Sequence, residues 1–197
     1  MWEDRYQTPD YVFGTAPAAF MTAHEARFEP GQTALSVADG EGRNAVFLAE
    51  RGLHVTALEY APSAIAKARR LAEARGVSVD FREVDVLSYD WPEQYDIVLG
   101  VFIQFVGPEP RRQLLGGMKS AVKPGGLIAL HGYTPKQLDF GTGGPPHAEN
   151  MYTEELLETA FEGWEILENT SYEAEIHEGK GHSGRSALID FIVRKPG

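Results

Sequence analysis

Residues 34–67, ALSVADGEGRNAVFLAERGLHVTALEYAPSAIAK, constrain this chain more than any other stretch, because strand, glycine turn, helix, strand and helix follow one another in it. A strand, crossover helix and second strand in that order make half of a nucleotide-binding α/β fold. The first strand, residues 35–38, runs into Asp39-Gly40-Glu41-Gly42, where glycine lets the backbone turn tightly and approach a ligand with no Cβ in the way. A helix begins near Arg43. The second strand, residues 55–58, ends at Glu59, nineteen residues after Gly40. An acidic side chain at that spacing is where such folds hold two ribose hydroxyls. Gly40-x-Gly42-x-x-Ala45 alone is a short spacing that also fits a nicotinamide dinucleotide; the weight comes from Glu59 and from the strand-helix alternation that continues beyond it.

A helix over 62–75 carries Ile65, Ala68, Leu71 and Ala72 at helical spacing and stops at Gly76. Residues 77–84 read as a third strand, 95–101 (YDIVLGV) as a fourth and 127–131 as a fifth. A helix over 109–122 and the turn Lys123-Pro124-Gly125-Gly126 lie between the last two. The fourth strand is apolar after Asp96, as a strand covered on both faces should be. A lead helix is expected around 18–27. Residues 132–153 form a long glycine- and proline-rich loop whose aromatic residues suit a lid. A helix capped by Thr153 follows, and a closing hairpin runs through 164–176 and 187–194, with its turn at 177–184. The pattern predicts one domain over 1–197: a lid and lead helix in 1–30, the loop lid, and a terminal hairpin in 164–194. Right-handed crossovers set the early strands parallel and bring the loops after them to one rim, with ligands outside the carboxyl ends.

Composition removes several functions. No cysteine is present, which excludes disulfides, thiolate metal sites and a thiol nucleophile. A net charge of −11 opposes attraction to nucleic acid. The cluster Lys67, Arg69, Arg70 and Arg75 reads as a solvated helix face. No apolar run approaches the roughly 20 residues that span a bilayer. With a polar, charged N-terminus, the expected location is the cytoplasm and no membrane partner is expected.

Taken together, Asp39-Gly40-Glu41-Gly42, Glu59, Asp85, the strand containing Asp96, Lys123-Pro124-Gly125-Gly126 and the terminal hairpin resemble the class I S-adenosylmethionine-dependent methyltransferases over essentially the whole chain. The resemblance implies a doubly wound, seven-stranded sheet of order 3-2-1-4-5-7-6 with strand 7 antiparallel. The leader, Trp2 to Tyr6 with Tyr11-Val12-Phe13-Gly14, is similar to that of the tellurite-resistance and thiopurine type.

By that resemblance the cofactor is S-adenosylmethionine, leaving as S-adenosylhomocysteine. Gly40 and Gly42 meet its methionine part, Glu59 its ribose, and Asp85 and Val86 its adenine. Tyr11, Phe13 and Gly14 close the site from above, and the segment from Val101 to Phe105, Gln104 included, passes beneath the sulfonium. Ala38, Asp39, Asn44 and Tyr60 complete the expected cofactor contacts. Two positions depart from the family pattern. Ser36 and Ala38 stand where relatives commonly have an acidic residue and a glycine, which shifts the ammonium contact toward Asp39 or a water. Gln104 stands where several relatives have a histidine.

For the acceptor side, His131, His177 and His182 all reach the rim by topology, and an imidazole suits a general base for a hydroxyl or thiol. Tyr133 joins them as a catalytic candidate. His24 and His54 read as structural. Tyr6, Tyr11, Phe13, Tyr133 and Phe140 are candidates for an aromatic box. His177 and His182 match no strong metal spacing, and no metal is expected. The expected partner is a small acceptor, by analogy a thiol, tellurite or selenite. A nicotinamide-dependent oxidoreductase and a non-catalytic S-adenosylmethionine-binding module are the alternatives.

Overall fold

In the computed structural model, which describes residues 1–197, a single seven-stranded sheet runs through the chain. Its strands are β1 (Thr33–Val37), β2 (His54–Glu59), β3 (Asp80–Glu83), β4 (Tyr95–Val101), β5 (Val122–Tyr133), β6 (Glu165–Glu178) and β7 (His182–Arg194). They lie in the order β3-β2-β1-β4-β5-β7-β6. The first five pair in parallel, and β7 is antiparallel to both β5 and β6. The expected topology is the observed one.

Six helices accompany it: α1 (Trp2–Tyr6), α2 (Ala19–Ala23), α3 (Arg43–Glu50), α4 (Pro62–Arg75), α5 (Pro108–Ala121) and α6 (Glu154–Ala160). Local chemistry sets their ends. Proline stands in the first turn of α4 and α5, where a missing N–H costs nothing. Gly76 ends α4 at φ +68, and the Thr153 side chain accepts from the Leu156 amide at the start of α6.

Both faces of the sheet are covered. One carries Leu114, Leu115 and Met118 of α5 with Leu157 and Phe161, against Val98, Ile128 and Phe191. The other carries Phe20, Met21, Ala45 and Leu48 of α2 and α3, against Ala34, Ile97 and Ile192. Each fully buried side chain of this size contributes about 1.5–3 kcal/mol. The apolar run of β4 after Asp96, and the largely apolar interiors of β1 and β2, follow from that double cover.

The third strand is shorter than expected, because Val77 donates its amide back to Ala72 O and wraps the end of α4 before pairing starts at Asp80. The Lys123-Pro124-Gly125-Gly126 turn is a bulge in β5, between the pairs Tyr95–Val122 and Ile97–Leu127. Lys123 Nζ lies 2.9 Å from Asp96 Oδ1 at the amino end of β4, so these two motif features meet each other, at the end of the sheet opposite the loop rim. The lead helix is α2 followed by a 3-10 turn, Glu25–Arg27. The 132–153 loop contains two 3-10 turns, Pro135–Asp139 and Ala148–Asn150. The hairpin turn is only three residues long, which puts both His177 and His182 in strands.

Candidate active site

The carboxyl ends of the parallel strands open into a cavity of about 640 Å³, a size suited to a small-molecule site. Along its β1–β2–β3 side lie Ala38, Asp39, Gly40, Glu41, Glu59 and Tyr60, then Asp85 and Val86 from the loop after β3. Along its β4–β5–β7 side lie Val101, Phe102, Gln104, Tyr133 and His182. Asn44 of α3 and Phe13 of the N-terminal segment also line it.

The two glycines of the turn have different surroundings. A Cβ on Gly40 (φ +67) would lie 3.0 Å from the Tyr6 hydroxyl, so this backbone faces the cavity wall made by α1. A Cβ on Gly42 (φ +91) would lie 2.6 Å from Ala68 Cβ. Gly42 therefore lets α3 pack on α4, and it does not line the cavity, contrary to the expectation of a cofactor contact.

Glu59 is buried at the end of β2, where three backbone amides hold its carboxylate. Gly40 N donates to Oε2 at 2.8 Å, while Tyr60 N and Ala61 N donate to Oε1 at 2.9 and 2.8 Å. Burial raises its pKa against those three bonds. Asp39 is half-buried as a residue. Its Oδ1 accepts from the Ser36 hydroxyl at 2.6 Å, and its Oδ2 has no partner. Burial, with a smaller push from the Glu59 charge, raises Asp39 to about 6 against the Ser36 bond and the Arg43 charge. An unpartnered buried carboxylate oxygen is costly unless a ligand satisfies it. Asp85 is exposed, with Oδ1 accepting from Leu87 N at 3.0 Å.

The opposite wall is aromatic. Phe102 follows β4 at φ +57, a conformation that side chains other than glycine rarely adopt, and it turns its ring onto His182, 4.2 Å between centroids. Phe13 approaches the same imidazole at 4.5 Å. His182 Nδ1 lies 2.5 Å from the Tyr133 hydroxyl. Burial first, then Arg43, Arg5 and His131, pushes His182 down to about 3, so the imidazole is neutral. Burial and then the Glu178 charge push the Tyr133 phenol up. Gln104 holds Tyr133 from behind: its Oε1 accepts from Tyr133 N at 2.6 Å and its Nε2 donates to Tyr133 O at 2.8 Å. From the 132–153 loop, Gly143, Gly144, Pro145, Pro146 and Asn150 join the lining.

The N-terminal segment is tied over the site by buried charges. Glu41 Oε2 accepts from Val12 N at 2.8 Å and Phe13 N at 3.2 Å, and its Oε1 meets Lys67 Nζ at 2.8 Å. Arg43 pairs with Glu178 Oε2 at 2.7 Å, and Gly181 N donates to Val12 O at 3.1 Å. Lys67 is thus buried and paired, where a solvated face was expected; Arg69, Arg70 and Arg75 are exposed. Glu41 and Arg43 escaped the sequence reading because their partners lie 26 to 135 residues away.

Several expected residues fall outside the cavity. Tyr11 turns away to donate from its hydroxyl to Lys67 O at 2.9 Å, and Gly14 packs against Gly179. His131 is sealed between Phe20 and Phe102, with Nδ1 2.7 Å from Asp190 Oδ1. His177 is exposed, since successive strand residues point to opposite faces and Glu178, paired with His182, takes the inward position. Phe140 carries the Arg185 guanidinium over its ring. His24 bonds Asp190, and His54 and His147 are exposed. No group of three or more His, Asp or Glu is placed to hold a metal ion, and no helix is long and apolar enough to cross a membrane.

Residues 34–126 match the family described as a methyltransferase domain. The demethylmenaquinone methyltransferase of Thermus thermophilus is 34% identical over 110 residues, covering 54% of this chain and 50% of that protein. The ribosomal protein L11 methyltransferase of Burkholderia mallei is 29% identical over 172 residues, covering 84% and 53%. The chain spans about half the length of these two relatives. Among solved structures, the N-methyltransferase NodS of Bradyrhizobium japonicum in complex with S-adenosylhomocysteine superposes with a TM-score of 0.74 at 14% identity, covering all of this chain and 97% of that one. TehB of Haemophilus influenzae gives 0.72 at 20%, covering 98% and 65%. A structure from work on conversion of a disulfide bond into a thioacetal group during echinomycin biosynthesis gives 0.77 at 21%, covering 96% and 85%. The fold is that of the class I methyltransferases. Residues 34–126 at its centre match a methyltransferase domain.

Proposed function

We propose that this chain transfers the methyl group of S-adenosylmethionine to a small acceptor of soft-nucleophile character, such as a thiol, tellurite or selenite. The observation that carries this reading is the cavity itself, with amide-held carboxylates on one side and a neutral aromatic wall on the other. Bound there, S-adenosylmethionine supplies a methyl group on a sulfonium, which an acceptor lone pair takes while the carbon–sulfur electron pair stays on sulfur.

The residues present suit that ligand. Glu59, preset by three amides, accepts from the ribose hydroxyls, and Asp39, whose sealed Oδ2 has no partner in the protein, takes the ammonium group once binding uncovers that oxygen. Asp85 and Val86 take the adenine. Ala38, Gly40, Asn44, Tyr60, Val101 and Gln104 shape the remainder of the cofactor side. Tyr11, Gly14 and Gly42 act through packing. Phe13, Phe102 and Tyr133 exclude water and face developing charge with aromatic surface, so positioning supplies most of the acceleration.

A nicotinamide-dependent reaction shares the glycine turn and Glu59, but the methyltransferase matches do not favour it. Calorimetric titration with S-adenosylmethionine, S-adenosylhomocysteine and the nicotinamide dinucleotides tests the reading: micromolar binding of the first two alone is expected, and binding of dinucleotides alone overturns it. Release of S-adenosylhomocysteine with a panel of thiols and chalcogen oxyanions separates an enzyme from a module that only binds cofactor.

A further inference from the structure

The hydrogen bond between Tyr133 and His182 fixes which imidazole nitrogen carries the proton. Tyr133 is fully buried, so water does not take its hydroxyl hydrogen, and its one hydrogen-bond partner is His182 Nδ1 at 2.5 Å. A phenol held above its usual range keeps its proton at neutral pH. Nδ1 must therefore accept, and in a neutral imidazole the ring hydrogen then sits on Nε2. Nε2 has no partner in the protein and is not among the sealed, unpartnered atoms, so it opens onto the cavity that His182 lines.

We propose that His182 presents an Nε2–H donor to the acceptor half of the cavity, and that this half takes small acceptors that arrive as anions with a lone pair at the reacting atom. The proposal rests on the methyltransferase reading and replaces the expected general base with a donor.

Three further observations agree with it. The flanking rings of Phe102 and Phe13, 4.2 and 4.5 Å from the imidazole, leave it no room to flip its edges without moving both. The Arg5 guanidinium lies over Phe13 at 5.2 Å and makes no ion pair, which adds positive potential at the mouth of the same half. The carboxylates nearest that half are already engaged, Glu41 by Lys67 and Glu178 by Arg43. A cationic amine finds no free anion there, whereas a thiolate or oxyanion meets an N–H and a guanidinium. The chemistry balances without a base. The anion's lone pair forms the bond to the methyl carbon, the carbon–sulfur pair stays on sulfur as a neutral thioether, and no proton moves. A neutral thiol, by contrast, would need a proton acceptor that the Nε2–H tautomer does not provide.

Nitrogen-15 spectra of the full chain labelled at histidine test this, with His182→Gln assigning the signal. The expected result is one tautomer protonated at Nε2 from pH 5 to 8, with Tyr133→Phe mixing the two tautomers. Protonation at Nδ1, or a titration of His182 between pH 5 and 8, overturns the donor. With S-adenosylhomocysteine bound, thiocyanate should shift the His182 Nε2 resonance saturably and methylammonium should not. The reverse pattern, no response to either, or a shift caused wholly by S-adenosylhomocysteine overturns the anion class. Calorimetry on the same sample reports cofactor binding separately. A protein that binds no S-adenosylhomocysteine refutes the methyltransferase reading while the tautomer is still read directly.

Discussion

Lys67 Nζ lies 2.8 Å from Glu41 Oε1, with side chains 3% and 1% exposed, so a helix lysine and a glycine-turn glutamate form an ion pair inside the protein. The same lysine donates to Asp10 O at 2.7 Å, and the same glutamate accepts from the amides of Val12 and Phe13. One pair thereby fixes the N-terminal segment against the cavity.

Removing one partner of such a pair leaves an unpaired buried charge, which costs about 3–5 kcal/mol. Lys67→Met should lower stability by about that amount in urea denaturation. The double variant Lys67→Met/Glu41→Gln should recover part of the loss, and additive losses would contradict the coupling.

On the proposed reading, Glu59→Ala removes the acceptor for the ribose hydroxyls. Cofactor affinity should fall by about 1.5–3 kcal/mol, the range for hydrogen bonds to a charged group. Titration calorimetry checks it, and unchanged affinity would displace Glu59 from the site.

Asp39 gives a pH dependence of known sign. Its carboxyl is raised from 3.8 to about 6, so the folded state binds the proton more tightly than the unfolded chain and ligand-free stability falls as pH rises across that window. A cationic ammonium prefers the ionised form, so cofactor affinity should rise roughly tenfold between pH 5 and 7. Asp39→Asn should flatten both trends.

Gly42→Ala and Gly40→Ala should separate packing from wall. At Gly42 the new Cβ meets Ala68 backbone and side chain at φ +91, and strain with overpacking should cost about 2–4 kcal/mol in thermal or urea unfolding. At Gly40 it meets only the end of the Tyr6 side chain, so the stability loss should be smaller and the cofactor affinity loss larger.

Gln104→Leu leaves the buried Tyr133 N–H unpaired and removes one of two donors to Tyr133 O, which keeps Tyr152 N at 3.0 Å, so stability should fall by about 1–3 kcal/mol. Equal stability in urea would show that Gln104 is not the support for Tyr133.

Several of these positions were legible from the chain alone. The period of the apolar residues, Gly40 and Gly42 at a strand end, Pro62 and Gly76 around α4, and Glu59 nineteen residues after Gly40 are local patterns. Each is fixed by backbone conformation and by which face must be buried, so the parallel strands and the rim at their carboxyl ends follow from them, while the full strand order came from the family resemblance that they carry. Residues whose role depends on a distant partner were not legible. Lys67 looked solvated until Glu41 and Asp10 were brought to it, and Gly42 looked like a ligand contact until Ala68 filled the space. Three histidines shared one rim in the sequence. A three-residue hairpin turn set the strand register that sends His182 inward and His177 to solvent, while Asp190 and the rings of Phe20 and Phe102 enclose His131. Sequence determined the strand-helix alternation and the carboxylate side of the cavity, because those are encoded by local periodicity and spacing. Tertiary structure alone decided the aromatic side of the cavity, because burial and pairing arise only when segments far apart in the chain exclude water from one another.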